Sequence, residues 1–208
     1  MLTTTNEEFR KIRGRVISSG AERECVRHKS KPGVCLKISR KEKAKETRRE
    51  IAYYRFLEKH KIFSKFIPVF YGAYETEDLV IIEQELIEDN PDLGVCGRRV
   101  EEFIGQATEA QIEQLENLFE LLYNEMVKKN IVISDMHPGN MMVYYDASSG
   151  ELQRLVVVDG LGSPEAIPLP KYFSFFGRKK IARQWEKFKK NYQATWKRQR
   201  SGVPPLKF

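Results

Sequence analysis

The sequence predicts an α+β fold of two unequal lobes. A β-rich N-terminal lobe with one main helix would occupy residues 1–88, and a reduced, mostly helical C-terminal lobe residues 89–208. Three observations lead there. Apolar and β-branched runs of strand length, bounded by turn residues, crowd the first 88 positions. Two long stripes at helical spacing fill much of the remainder. Between them, Asn90-Pro91-Asp92-Leu93-Gly94 is a cluster of chain breakers and marks the lobe boundary.

The elements follow in order. Arg15 to Gly20 and Glu24 to His28 read as two strands around a turn, and Lys31-Pro32-Gly33 is a second turn. Val34 to Ile38 is a third strand with alternating faces. Residues 42–59 read as a helix, with Ile51, Tyr54 and Leu57 in an apolar stripe beside Tyr53 and Phe56. Phe66 to Tyr74 and Leu79 to Leu86 read as strands joined by Glu75-Thr76-Glu77-Asp78. Thr108 to Lys129 is a long helix: Thr108 and Gln111 form a capping box, Asn130 ends it, and Ile112, Leu115, Leu118, Phe119, Leu122 and Met126 form its core stripe. Met141 to Tyr145 and Leu152 to Val158 form a hairpin around Asp146-Ala147-Ser148-Ser149-Gly150. Residues 177–200 close the chain as a basic amphipathic helix, with Ile181, Trp185, Phe188, Tyr192 and Trp196 on one face.

Composition narrows the class. Of 208 residues, 41% are hydrophobic and 31% charged, enough to build a core in one domain or two small lobes sharing a cleft. The N-terminus lacks the basic and apolar regions of a signal peptide, and no apolar run approaches the ~18 residues of a membrane helix. Cys25, Cys35 and Cys96 form an odd, widely spaced set, which reads as reduced thiols in a cytoplasmic protein. The net charge of +7 is uneven. Residues 178–200 hold ten Lys and Arg against Glu186 alone, a surface suited to anionic partners. Its plain reading is a closing helix with solvated lysines; the sharper one is a docking face for an acidic protein, a membrane or RNA. A nucleic-acid role would rest on charge alone.

The chemistry concentrates in Ile133-Ser134-Asp135-Met136-His137-Pro138-Gly139-Asn140 and in Leu155-Val156-Val157-Val158-Asp159-Gly160. The hairpin between them would carry Asp159 back beside Asp135 and Asn140. An Asp, an Asn five residues later, and a second Asp after a strand pair is the layout of a kinase-type phosphoryl-transfer centre. Such transfer needs an in-line hydroxyl and cations on the phosphates. Mg²⁺ takes oxygen ligands, so Asn140 and Asp159 are the metal candidates, with Asp135 as base. The bland alternative is that Asp135 and Asn140 merely cap a turn. His137, with no Cys/His cluster near it in sequence, reads as a hydrogen-bonded loop histidine rather than a zinc ligand.

At these residues the chain resembles the protein-kinase-like superfamily near its aminoglycoside-phosphotransferase branch, matching at Asp135, His137, Pro138, Gly139 and Asn140. Across nearly its whole length it resembles the PhoP regulatory network (YrbL-type) family. The stretches that carry this likeness are Ile17 to Val26, the loop above, Val158 to Gly162, and Ile167-Pro168-Leu169. The resemblance implies a minimal two-lobed protein-kinase-like fold, an ATP site and Mg²⁺, with the phosphate acceptor unidentified. It implies Lys37 as the strand lysine on the phosphates and Glu50 as its partner, Glu46 being the alternative. Ser19, Gly20 and Ala21 would be the phosphate cover, though an ordinary hairpin fits the same residues. Gln84, Glu85 and Leu86 would offer main-chain groups to an adenine edge.

Four departures from that pattern bear on function. Ile133 stands where kinases place a histidine, Gly160-Leu161-Gly162 replaces Phe-Gly, the glycine loop is sparse, and Ser163-Pro164-Glu165 lies too close to Asp159 for a protein-kinase activation segment. They favour a small molecule or one specific protein as acceptor. They also leave open a nucleotide-binding, pseudokinase-like regulator that meets its partner through the basic helix.

Overall fold

A computed structural model of the chain describes residues 2–20, 22–162 and 174–200. They form two compact units, one of residues 1–63 with 68–86 and one of residues 64–67 with 87–208. Both are mixed α and β.

The first unit is a six-stranded sheet covered on both faces. Its strands are β1 (Leu2–Thr3), β2 (Arg13–Ser19), β3 (Arg23–His28), β4 (Val34–Arg40), β5 (Phe70–Glu75) and β6 (Leu79–Glu85), in the spatial order β1-β5-β6-β4-β3-β2. All neighbours are antiparallel except β1 and β5. The sequence reading missed β1 and the helix α1 (Asn6–Ile12). The signal for α1 was nevertheless present: Thr5 caps it and Glu8 completes a capping box. Phe9 of α1 packs with Val26, Leu36, Ile38 and Ile81 on one side of the sheet.

On the other side lies α2 (Lys45–Lys59). Strand β4 is the expected strand with alternating faces, and both of its faces are covered. Every residue from Val34 to Ser39 is buried, because helices cover both sides. Three polar pairs join α2 to this face. Thr47 and Ser39 share a hydroxyl–hydroxyl bond of 2.7 Å, Glu50 meets Lys37, and the Tyr54 hydroxyl donates to Gln84 Oε1 at 3.2 Å. Positions 47, 50 and 54 lie on one helical stripe, and residues two apart in β4 share a face. The two periodicities therefore set α2 in one register.

The strand predicted from Phe66 begins only at Phe70. Phe66 is buried in the second unit, where its carbonyl accepts from Val157 N at 2.8 Å. Pro68, which cannot donate a ladder bond, follows.

The second unit contains a three-stranded antiparallel sheet of β7 (Val95–Arg99), β8 (Met141–Asp146) and β9 (Leu152–Val157), in the order β7-β8-β9. Strand β7 and helix α3 (Val100–Gln106) were not anticipated. They are short, and neither contains a long periodic pattern. Helix α4 (Glu109–Lys129) has the expected Thr108–Gln111 capping box and ends on Asn130 in the left-handed region (φ 53°). The closing helix is α5 (Ser174–Gln199). Its predicted apolar stripe is buried: Phe188 meets Phe119 of α4 at 4.9 Å between ring centroids, and Tyr192 meets the same ring at 5.3 Å. Among the described residues, no helix is long and apolar enough to cross a membrane.

Two predictions follow from this packing. Phe188 is fully buried, so Phe188→Ala should lower unfolding stability by about 3–5 kcal/mol; denaturant titration checks this, and a loss below about 1 kcal/mol would contradict the packing. In the β8–β9 turn, hydrogen bonds from Ser148 and Ser149 hold the Asp146 carboxyl down at about 2. Because the folded value is depressed, the turn's contribution to stability should be fully present above the ordinary Asp value and fade as pH falls through about 2. An NMR titration of Asp146 with its midpoint near 4 would refute this.

Candidate functional site

In the second unit, two loops are zipped together by main-chain bonds. Asn130 reverses the chain after α4, and Ile131, Val132 and Ile133 are buried. Ile133 forms bridges with Leu161 and Gly162. Gly162 N donates to Val132 O at 3.0 Å, while Ser134 N and Oγ both donate to Gly160 O, at 2.7 and 3.0 Å. Ile133, a departure from the pattern the chain resembles, and Ser134 thus hold the loop by burial and main-chain pairing.

This zipper places Asp135 against Gly160. A Cβ built on Gly160 would lie 3.0 Å from the Asp135 carbonyl oxygen and 3.1 Å from its nitrogen. The residue also has φ +82°. Both the close approach and the left-handed backbone require glycine here. Farther along, Val158 N donates to Asn140 O at 2.9 Å. Residues on either side of Asp159 are therefore bonded to the loop that carries Asp135 and Asn140.

The side chains meet accordingly. Asn140 Nδ2 donates to Asp135 Oδ2 at 2.9 Å and to its carbonyl at 3.2 Å. Asp135 is exposed, whereas Asn140 and Asp159 are half-buried. Asp159 Oδ1 accepts from Gly160 N at 2.7 Å. His137 Nδ1 accepts from Gly139 N at 3.0 Å, closing the short turn Pro138–Asn140. Asn191 of α5 donates to Met136 O at 3.2 Å, so the closing helix braces the loop. The sequence carried no signal for that brace, since the two residues are 55 positions apart.

Among the described residues, no group of three or more His, Cys, Asp or Glu side chains forms a protein-only metal cage. Asn140 and Asp159 offer oxygen donors alone. That partial set suits Mg²⁺, which completes its shell with phosphate and water.

In the first unit, Lys37 and Glu50 are both buried, and Lys37 Nζ donates to Glu50 Oε1 at 2.9 Å. The other carboxylate oxygen accepts from Arg23 Nη1 at 2.6 Å. The alternative, Glu46, is exposed and pairs with Arg49 at 3.3 Å. Sequence reasoning had passed over Arg23; its register was readable only once β3 paired with β4, where Arg23 lies opposite Ser39. Beside this trio, a hydrogen bond with Cys25 and then burial push the Cys35 thiol far up, so it stays protonated. Both cysteines are reduced.

Two expected nucleotide contacts are narrowed. Gly20 N donates to Arg23 O at 2.9 Å, which closes an ordinary hairpin and removes that donor from any phosphate. Ser19 is exposed at the end of β2, and Ala21 lies outside the described residues, as do Ser163-Pro164-Glu165 and Ile167-Pro168-Leu169. At the end of β6, Glu85 N donates to Val69 O and Leu86 N to Gly33 O, both at 2.8 Å, while Gln84 bonds Tyr54. The N–H groups of Glu85 and Leu86 are therefore occupied.

The family model described as PhoP regulatory network protein YrbL matches residues 13–193. No curated protein matches the chain.

Removing the Glu50 charge would leave two cations facing each other in a covered site. Glu50→Gln should cost about 3–5 kcal/mol, the usual penalty for breaking a buried ion pair from one side. Urea unfolding measures it; Glu46→Gln, on an exposed pair, should cost less than about 1 kcal/mol. Equal losses in the two variants would show that burial gives the Glu50 pair no special weight.

Proposed function

The chain belongs to the PhoP regulatory network protein YrbL family, and from that footing we propose that it is an ATP- and Mg²⁺-dependent phosphotransferase of protein-kinase-like type. Its acceptor would be a hydroxyl-bearing small molecule or one specific protein. A cytoplasmic location belongs to the same reading. The observation that carries it is the zipped loop pair, which presents an exposed carboxylate, Asp135, hydrogen-bonded to Asn140, with Asp159 tethered alongside. The buried Lys37–Glu50 pair supports it from the other unit.

The roles follow from chemistry. Bound ATP–Mg²⁺ supplies the phosphoryl group and neutralises charge on its oxygens. Asp135 accepts the proton of the acceptor hydroxyl as that oxygen bonds to phosphorus and the bond to the leaving diphosphate breaks. Asn140, by donating to Asp135, holds the carboxylate in one orientation and leaves its amide oxygen for the cation. Asp159 is the anionic metal ligand, with Gly160 N fixing its rotamer. Glu50 holds the Lys37 ammonium where it would meet phosphate oxygens.

A second reading, a nucleotide-binding regulator with little catalysis, is favoured by one observation. Lys179, Lys187, Lys190 and Lys197 are exposed along α5, where an acidic partner would dock. Charge reversal at Lys187 and Lys190 would abolish such docking and leave phosphoryl transfer intact.

Thermal unfolding with ATP, with and without Mg²⁺, tests the proposal. At ligand a hundredfold above Kd, the stabilisation should be about 2.7 kcal/mol. It should vanish in Asp159→Ala and in Lys37→Met. Asp135→Asn should keep it while losing about 10²–10⁴-fold in turnover. Turnover at the wild-type level in Asp135→Asn would sink the assigned base, and ATP stabilisation unchanged in Asp159→Ala would sink the metal site.

A further inference from the structure

The buried apolar stripe of α5 fixes which side of that helix is left outward. At about 100° per residue, Lys179, Lys187, Lys190 and Lys197 fall within a sector of about 80° centred opposite the stripe. All four are exposed. Glu186 is the one acid from residue 178 to 200, and it is paired with Lys189 at 2.7 Å. The outward side of α5 is therefore a row of ammonium groups about 27 Å long, with little negative charge along it.

Charge alone would suit any polyanion, and a second feature narrows the choice. Phe175 and Phe176 stand at the start of the same helix, 68% and 46% exposed, their rings 5.6 Å apart and edge to face. They flank the lysine sector, and Lys179 Nζ lies 5.8 Å from the centre of the Phe175 ring. Neighbouring aromatic rings left in water gain free energy when another surface takes them up. An acidic protein would need the lysines alone. Single-stranded nucleic acid favours a groove that tracks its backbone, whereas this row runs along the convex side of one helix. A bilayer uses both features: its anionic headgroups attract the ammonium groups, and the interfacial layer beneath accepts aromatic rings. The apolar stripe makes no such contact, because it is committed to Phe119 of α4.

We propose that the outward side of α5 docks the protein on an anionic lipid bilayer, the lysine row lying along the headgroups and the Phe175–Phe176 pair entering the interface. The proposal does not depend on the phosphotransferase reading.

Co-sedimentation of the full chain with vesicles tests it, comparing phosphatidylcholine alone with phosphatidylcholine mixed with phosphatidylglycerol. Binding should require the anionic lipid and weaken as salt rises. Each lysine near such a surface contributes about fivefold, so Lys187→Glu combined with Lys190→Glu should weaken binding by at least about 25-fold. Phe175→Ala should cost about tenfold. Lys41→Glu combined with Lys43→Glu changes the net charge equally at exposed cations of the first unit, and should stay within about threefold of wild type. Phe175→Trp carries the direct readout: its added fluorescence should be quenched by lipids brominated in their acyl chains. All the substituted side chains are exposed, and circular dichroism follows the fold. No binding to anionic vesicles at low salt, equal losses from the two charge-reversed pairs, or no added quenching in Phe175→Trp would overturn the proposal. So would tighter binding to a mixed-sequence oligoribonucleotide or to polyglutamate than to the anionic vesicles at the same salt.

Discussion

Burying the ammonium of Lys37 in a strand covered on both faces obliges the first unit to bring a carboxylate to it. An isolated charge there costs several kcal/mol even after local relaxation. Glu50 meets that demand only if α2 lies at one rotation and one height above the sheet. The hydroxyl pair Thr47–Ser39 and the Tyr54–Gln84 bond on either side hold it there. Those flanking contacts involve neutral groups, worth roughly 1 kcal/mol each. Their combined effect is on register: sliding α2 by one residue would unpair all three at once. The unit thus gives up some stability for a defined geometry around one cation.

The second unit solves a similar problem with main chain. Its loops carry polar residues that have no ladder of their own, and unpaired buried N–H and C=O groups are costly. Pairing residues 132–134 with 160–162 satisfies them. The price is a site where only glycine fits, at Gly160. The same pairing brings Asp135, Asn140 and Asp159 into neighbouring positions. Rigidity at these loops comes from the backbone pairing.

Two local features that set the chain apart from the pattern it resembles have a physical account. A buried isoleucine and a serine hydroxyl hold the loop where a histidine is usual, because the neighbouring carbonyl of Gly160 is within reach of both Ser134 donors. The sparse glycine turn is an ordinary hairpin, and Arg23 at its end shares the Glu50 carboxylate with Lys37.

Long periodic signals were legible in the residues. The stripes of α2, α4 and α5, the Thr108 cap, the Asp146 turn and the β8–β9 hairpin all depend on neighbours within a few positions, and local propensity agrees with the fold at each. The pairing of Lys37 with Glu50, 13 residues apart, was anticipated only by resemblance to a family. The short elements β1, β7 and α3 escaped because they are too brief for periodicity to speak, and α1 because its Thr5–Glu8 box was passed over. Register belongs to the tertiary structure: that Arg23 shares a face and a carboxylate with Lys37, that the N–H groups of Glu85 and Leu86 are occupied, and that Asn191 braces Met136. Sequence by itself determined which residues could carry charge, cap a helix or turn a chain. Which of them met was decided by strand pairing and burial, because contacts across tens of residues depend on how the covered faces fit together.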